Sequence, residues 1–516
     1  MQFPGLKPDD LYLPARGVDL RRWAVVACDQ YTSQPDYWQR VEAYVGEAPS
    51  TLHLVQPEID LAHAEARIPA IHRAMREYLS NGMLVRAVHD GFTLTERATA
   101  SGVRLGLVAA VDLEAYDFTP GSGAMIRATE GTIRERIPPR MRIREGAPLE
   151  CPHVMLLLDD PDFTVIEPLY ARLHETAPLC DFELMENGGH LRVWGVQDDD
   201  ALAPVSNALS ALWEKANGLL YAVGDGNHSL ATAKACWDAL KPTLSPEARQ
   251  THPARYALAE IVNLHSPALT FEPIHRVLFG TDVHDLLQSY QQFLSAHGMS
   301  LTPAASPSDV PSGKQPPAAA QPSPATCERS VIAVSSFSTI CEKQSPAGTQ
   351  SSSTICEKQS SADALPSPAT HERQMPADVQ PSPVPSGKQP PAAAQPSSAA
   401  CEAQASNRDH LTFISANTCI DVRVENPSTP LPVAILQPFL DDYLRTHPAA
   451  RIDYVHGASA VRALCQSPHT TGSLLPAIDK AALFPAVRQG GVLPRKTFSL
   501  GEADEKRYYM ECRKIL

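Results

Sequence analysis

Apolar residues recur in this chain at two periods, and the change from one to the other marks its most informative segment. Leu219-Leu220-Tyr221-Ala222-Val223 is a short continuous apolar run of the kind that forms a buried strand. Gly224-Asp225-Gly226 follows as a tight turn. Leu230, Ala233, Trp237 and Leu240 then recur at helical spacing until Pro242 ends the pattern. Elsewhere the periods predict a strand over 23–28, helices over 35–45 and 59–79, and strands over 103–111 and 154–158. A hairpin is expected over 182–196 around Asn187-Gly188-Gly189, and a helix over 200–216. Further on, 432–446 and 457–464 read as short helices and 496–516 as mixed strand and helix. Alternating elements without long hydrophobic β runs predict an α+β (mixed α/β) fold.

Composition breaks this pattern once. From residue 303 to about 407 the chain is dominated by Pro, Ala, Ser and Gln and contains duplications: the stretch starting at Val310 recurs from Val384, and the one starting at Ser338 recurs from Ser353. Such a segment cannot bury enough apolar surface to offset its ordering entropy, which predicts a disordered insert. A partner-binding polyproline module is the rival reading. Loop closure costs only the logarithm of length, so 1–302 and 408–516 are expected to form one globular unit around the insert.

With 516 residues the chain is long enough for one large domain or two to three ordinary ones. A formal charge of -14 disfavours binding to nucleic acid phosphates. The 11 cysteines are odd in number and lack a CxxC pair, which suits reduced thiols. No signal-peptide core opens the sequence, and no apolar run approaches the roughly 18 residues of a membrane span. A cytoplasmic protein without membrane contact is expected.

The turn concentrates chemistry. Asp225, Gly226, Asn227, His228 and Ser229 bring a carboxylate, an amide, an imidazole and a hydroxyl to a helix N-terminus. Free N–H groups and the positive end of the helix dipole favour an anion there, and a phosphate is the natural guest. The plain alternative is an ordinary capped helix. The densest basic patch, 126–146, carries Arg127, Glu130, Thr132 and Arg134. Its arginines suit phosphate oxygens, and Glu130 suits an Mg ion or general-base work; an exposed strand of alternating charge is the alternative. His275-Arg276 and Arg495-Lys496-Thr497 are two further anion-friendly groups. Cys28, at the end of the strand expected over 23–28, reads as a buried thiol rather than a nucleophile.

Asp225-Gly226-Asn227-His228, Glu130-Gly131-Thr132, Pro273-Ile274-His275-Arg276 and Pro494-Arg495-Lys496-Thr497 together resemble the bacterial domain-of-unknown-function family one-thousand-and-fifteen. The Asp-Gly-x-His turn is similar to that of the ParB/sulfiredoxin superfamily, which includes chromosome-partition CTPases, sulfiredoxin and free serine kinases. The resemblance implies a ParB/sulfiredoxin-like core, a bound nucleotide (ATP, ADP or CTP) with Mg, and phosphoryl transfer to a small hydroxylated metabolite. On this reading Glu130, Asp225 and His228 are catalytic and Glu130 is the metal ligand. Gly226, Asn227, Ser229, Arg127, Thr132, Arg134, His275, Arg276 and Lys496 line the nucleotide and phosphate site. Many relatives carry Arg where this chain has Ser229, so the charge must come from Arg127, Arg134, Arg276 or Lys496. A non-catalytic nucleotide sensor and a phosphohydrolase are the alternatives.

Overall fold

The computed structural model describes residues 1–303 and 410–516, apart from 33, 417 and 430. They form a mixed α/β fold. An eleven-stranded mixed sheet runs in the order 116–117, 126–128, 221–225, 155–158, 256–263, 102–112, 84–99, 190–196 and 180–183, with 6–7 and 9–14 pairing onto 102–112 and 84–99. A seven-stranded antiparallel sheet runs 300–303, 418–425, 410–415, 470–474, 271–279 and 451–456, with 498–500 added beside the start of 271–279.

The first sheet packs Leu107, Leu156, Tyr221 and Ile261 against Leu169, Leu209 and Trp237 from helices Ile166–Leu173, Asp199–Lys215 and Asn227–Leu240. Trp237 is fully buried, which is worth roughly 1.5–3 kcal/mol for a side chain of this kind. A second core joins Leu278 and Phe413 of the antiparallel sheet to Leu436 and Phe439 of helix Pro432–Thr446 and to Tyr290. A third gathers Trp23, Trp38, Met75, Tyr509 and Met510.

Most expected elements are present with small boundary shifts. Helices Pro35–Val45 and Pro432–Thr446 begin at prolines whose fixed φ suits a first turn. The hairpin strands Cys180–Glu183 and His190–Val196 turn at Asn187 (φ 60°) and Gly189 (φ 81°). The stretch 59–79 is a 3-10 turn, Glu58–His63, followed by the helix Ala64–Ser80.

One expectation is corrected. Residues 23–28 are not a strand: Trp23 ends the helix Leu20–Trp23, and only Val26 forms an isolated bridge, to Tyr508. Residues 23–27 are apolar and buried, and the backbone meets residues 507–509 through Ala27 N–H to Arg507 O (2.9 Å) and Tyr509 N–H to Val25 O (2.8 Å), which makes a bridge and not a ladder. The longest described strand, Leu84–Thr99, is interrupted by Arg86, His89, Asp90 and Glu96, consistent with a chain that lacks long hydrophobic β runs. Pro303 closes the strand Ser300–Pro303, and the expected disordered insert lies otherwise outside the described residues. The strand before it, Ser300–Pro303, pairs with Thr418–Glu425, which also pairs with His410–Ser415, the first described strand after it. No described helix is long and apolar enough to cross a membrane.

Candidate functional site

Two parallel strands explain why Glu130 and Asp225 come together. Ile126–Ala128 and Tyr221–Asp225 are neighbours in register, Val223 opposite Ala128, and both end at the same sheet edge. Thr129 Oγ1 donates to the Val223 carbonyl (2.6 Å) and continues the alignment past the ladder. The antiparallel strand Met155–Leu158 starts at that edge, Met155 facing Asp225, so His153 arrives there too. Carboxyl ends of parallel strands are where open α/β sheets bind ligands.

Gly226 turns the chain from strand to helix at φ 80°, ψ 27°, a left-handed conformation. A Cβ there would stand 3.0 Å from Val154 Cα, so both backbone conformation and space call for glycine. Its N–H donates to Asp225 Oδ1 (2.9 Å). No side chain caps the helix Asn227–Leu240. By contrast, Asp282 caps Val283–Ala296 by accepting from the His284 and Asp285 N–H groups. Around the uncapped start, the buried atoms Asn227 Oδ1 and Thr132 Oγ1 have no hydrogen-bond partner among the described residues. Burying such atoms unpaired costs about 1–3 kcal/mol each.

Glu130 Oε1 accepts from the Thr497 N–H (3.1 Å). Burial pushes its carboxyl up to about 7; the Lys496 and Thr497 N–H groups and Arg276 oppose this, and Asp225 adds to it. His228 Nε2 accepts from the Ile133 N–H (3.2 Å), which ties the 130–133 segment to the helix start. Burial lowers the His228 pKa, and Arg140 and Arg136 lower it further.

The expected cations have different fates. Arg127 donates from Nε to Ala124 O (2.8 Å) and from Nη2 to Gly218 O (3.1 Å). Arg276 is buried and donates to Gln437 Oε1 (3.0 Å) and to the carbonyls of Ile274, Lys496 (3.1 Å) and Arg495 (3.3 Å), so it shapes the 494–497 loop that holds Glu130. Burial lowers its pKa to about 10. His275 Nδ1 accepts from the Leu475 N–H (3.1 Å), and burial, with His456 next, lowers its pKa to about 4. Arg134 is exposed, and Lys496 is exposed with Nζ 5.7 Å from the Tyr454 ring centre.

The cation at the turn is one the sequence reading did not single out. Lys506 Nζ is 3.4 Å from Asp225 Oδ2, and Lys506 is buried. His153 and Tyr509 were also missed. Ser229 Oγ is 3.1 Å from His153 Nε2, and His153 Nδ1 is 2.7 Å from the Tyr509 hydroxyl. Beside them lies a cavity of about 170 Å³, lined by Ser229, His153, Tyr509, Cys28, Glu58 and Arg140 among others. Burial, then Asp29, pushes the Cys28 thiol up to about 12, which makes it a poor nucleophile. A second cavity, about 680 Å³, opens on the other side of the 131–133 segment, between Thr132, Gln437, Asp441 and Arg495.

The donor set fits the expected ligands. Glu130 and Asp225 supply the hard oxygens that Mg prefers, and the orphaned amide and hydroxyl oxygens are acceptors for a polar guest. Lys506 is a point charge of the kind that binds phosphate.

The chain is similar to several solved structures at 8% identity. A conserved hypothetical protein from Pyrococcus furiosus gives a TM-score of 0.30, covering 78% of this chain and 90% of that one. A free serine kinase in complex with AMP gives 0.33 over 80% and 92%. A variant of a free serine kinase in complex with ADP gives 0.33 over 78% and 94%. No curated protein matches. A family model described as "Protein of unknown function (DUF1015)" matches residues 12–355, two-thirds of the sequence, and the chain belongs to that family.

Proposed function

We propose that the chain binds a nucleotide with Mg at the Asp225–Ser229 turn and transfers a phosphoryl group to a small hydroxylated metabolite. The observation that carries this reading is a pair of buried oxygens with no hydrogen-bond partner among the described residues, Asn227 Oδ1 and Thr132 Oγ1, around an uncapped helix start where Lys506 meets Asp225 beside Glu130. Structural helix ends seldom leave such atoms without partners. Phosphoryl transfer asks mainly for positioning and charge neutralisation. The N–H groups of the first helical turn and Lys506 bind phosphate oxygens. Glu130, with its carboxyl poised near neutrality, takes the proton of an attacking hydroxyl. His228 holds the 130–133 segment against the turn. Bound Mg, held by Asp225, would neutralise phosphate charge and leave Glu130 free as the base.

Thermal-shift measurements with ATP, ADP and CTP, each with and without Mg, test this. A nucleotide at about 100 times its Kd adds roughly 2.7 kcal/mol. A shift that needs Mg and disappears in Asp225→Asn supports the reading, and no shift with any nucleotide removes it. The second reading, a non-catalytic nucleotide sensor, is favoured by Ser229, whose hydroxyl supplies no positive charge at the turn. Tight binding without turnover selects it.

A further inference from the structure

The first-turn hydroxyl of the helix has an environment that a capping role does not explain. Ser229 Oγ is 3.1 Å from His153 Nε2. His153 is buried, and its Nδ1 is 2.7 Å from the Tyr509 hydroxyl, which accepts in turn from the Cys28 N–H (3.1 Å). Asp29 Oδ2 is 3.8 Å from Nε2. A hydroxyl, a base within hydrogen-bond reach and a third group orienting the base make the arrangement of an activated nucleophile. Ser229, His153 and Tyr509 all line the 170 Å³ cavity, so the dyad faces space an acceptor can enter. Ser229 is the third residue of the helix that follows Gly226, in the first turn, within the reach of a phosphate held at the uncapped helix start.

We propose that Ser229 is a covalent phosphoryl acceptor and that transfer proceeds through phosphoserine at this position; this rests on the nucleotide reading above. In the first half-reaction Ser229 Oγ attacks the γ-phosphorus of a nucleoside triphosphate. The Oγ–P bond forms, the bond from γ-phosphorus to the β–γ bridging oxygen breaks, and the nucleoside diphosphate leaves with that electron pair. The Ser229 proton passes to His153 Nε2. Tyr509 Oη takes the His153 Nδ1–H and Cys28 N–H on its two lone pairs, which leaves Nε2 free as the base. Asp29 steadies the imidazolium. In the second half-reaction the acceptor hydroxyl, in the cavity, attacks the phosphoserine phosphorus. Its proton is taken by Glu58, which lines the same cavity, and His153 returns a proton to Ser229 Oγ as the Oγ–P bond breaks. Tyr509 is a positioning residue.

The test incubates the full chain with ATP and Mg, without acceptor, followed by intact mass and peptide mapping. One phosphoryl group per chain on Ser229 is expected. Ser229→Ala abolishes it. His153→Gln slows labelling at least tenfold at an unchanged shift, and Tyr509→Phe moves the pH profile of labelling. A nucleotide shift with an unlabelled chain, or with label elsewhere, overturns this proposal and leaves nucleotide binding standing. No shift and no label removes both.

Discussion

Three buried or half-buried carboxylates are treated in opposite ways. Glu260 is held by Arg507 (2.7 Å), with Arg104 at 4.0 Å, and Thr95 Oγ1 donates to it (3.3 Å). Glu150 pairs with Arg513 and Arg144, each at 2.7 Å, and accepts from the Leu258 N–H (2.9 Å). Burial pushes both carboxyls up, but the arginines outweigh it and hold them below the ordinary range. Among the described residues no arginine forms an ion pair with Glu130, and burial prevails there. The paired carboxylates stitch the C-terminal segment to the sheet, whereas Glu130 keeps an adjustable proton. The contrast separates groups that hold the fold from groups left ready for a ligand.

Breaking the paired side should have the largest effect. Arg507→Ala leaves Glu260 and Glu511 buried without their shared partner and should cost about 3–5 kcal/mol in denaturant unfolding. Glu130→Gln should do the reverse: turnover of an identified acceptor falls roughly a hundredfold or more, while unfolding free energy at neutral pH holds or rises. A large stability loss in Glu130→Gln would end the comparison. Gly226→Ala, which places a Cβ in a left-handed residue against Val154, should cost roughly 1–2 kcal/mol and weaken nucleotide binding.

The smallest effect is a difference in sign. A carboxyl raised from 4.5 to about 7 binds its proton more tightly in the folded state. Its contribution is therefore present below pH 4.5 and is lost as pH rises from 4.5 to about 7. Glu260 and Glu150, held low, stabilise above the ordinary carboxylate range and lose that contribution as pH falls. The pH–Tm curve of Glu130→Gln should therefore fall less between pH 4.5 and 7 than that of the unmodified protein.

Local chemistry in the sequence reached as far as local structure does. The Asp225–Ser229 turn, the proline-started helices and the Asn187 hairpin are governed by residues a few positions apart, and each is readable. Glu130 was identified by type, but its nearness to Asp225 follows from parallel pairing across some ninety residues. Lys506, His153 and Tyr509 left no periodic signal, because each meets the site across a long sequence separation. Arg127 and Arg276 show the converse: a phosphate-friendly residue type occupied by nearby carbonyls. The stretch 23–28 failed as a strand because an apolar run reports burial, and pairing requires a partner of suitable shape.

Residues 506–513 supply Lys506 to the turn, Tyr509 to His153, Arg507 to Glu260 and Arg513 to Glu150, and Cys512 bridges back to Tyr12. On the ribosome, these contacts cannot form until some five hundred residues have been synthesised. The early sheet must wait with Glu260 and Glu150 lacking these arginines. Maturation of the site is thereby coupled to synthesis of residues 506–513, and nascent chains stalled before residue 506 would present the turn without its lysine and His153 without its tyrosine.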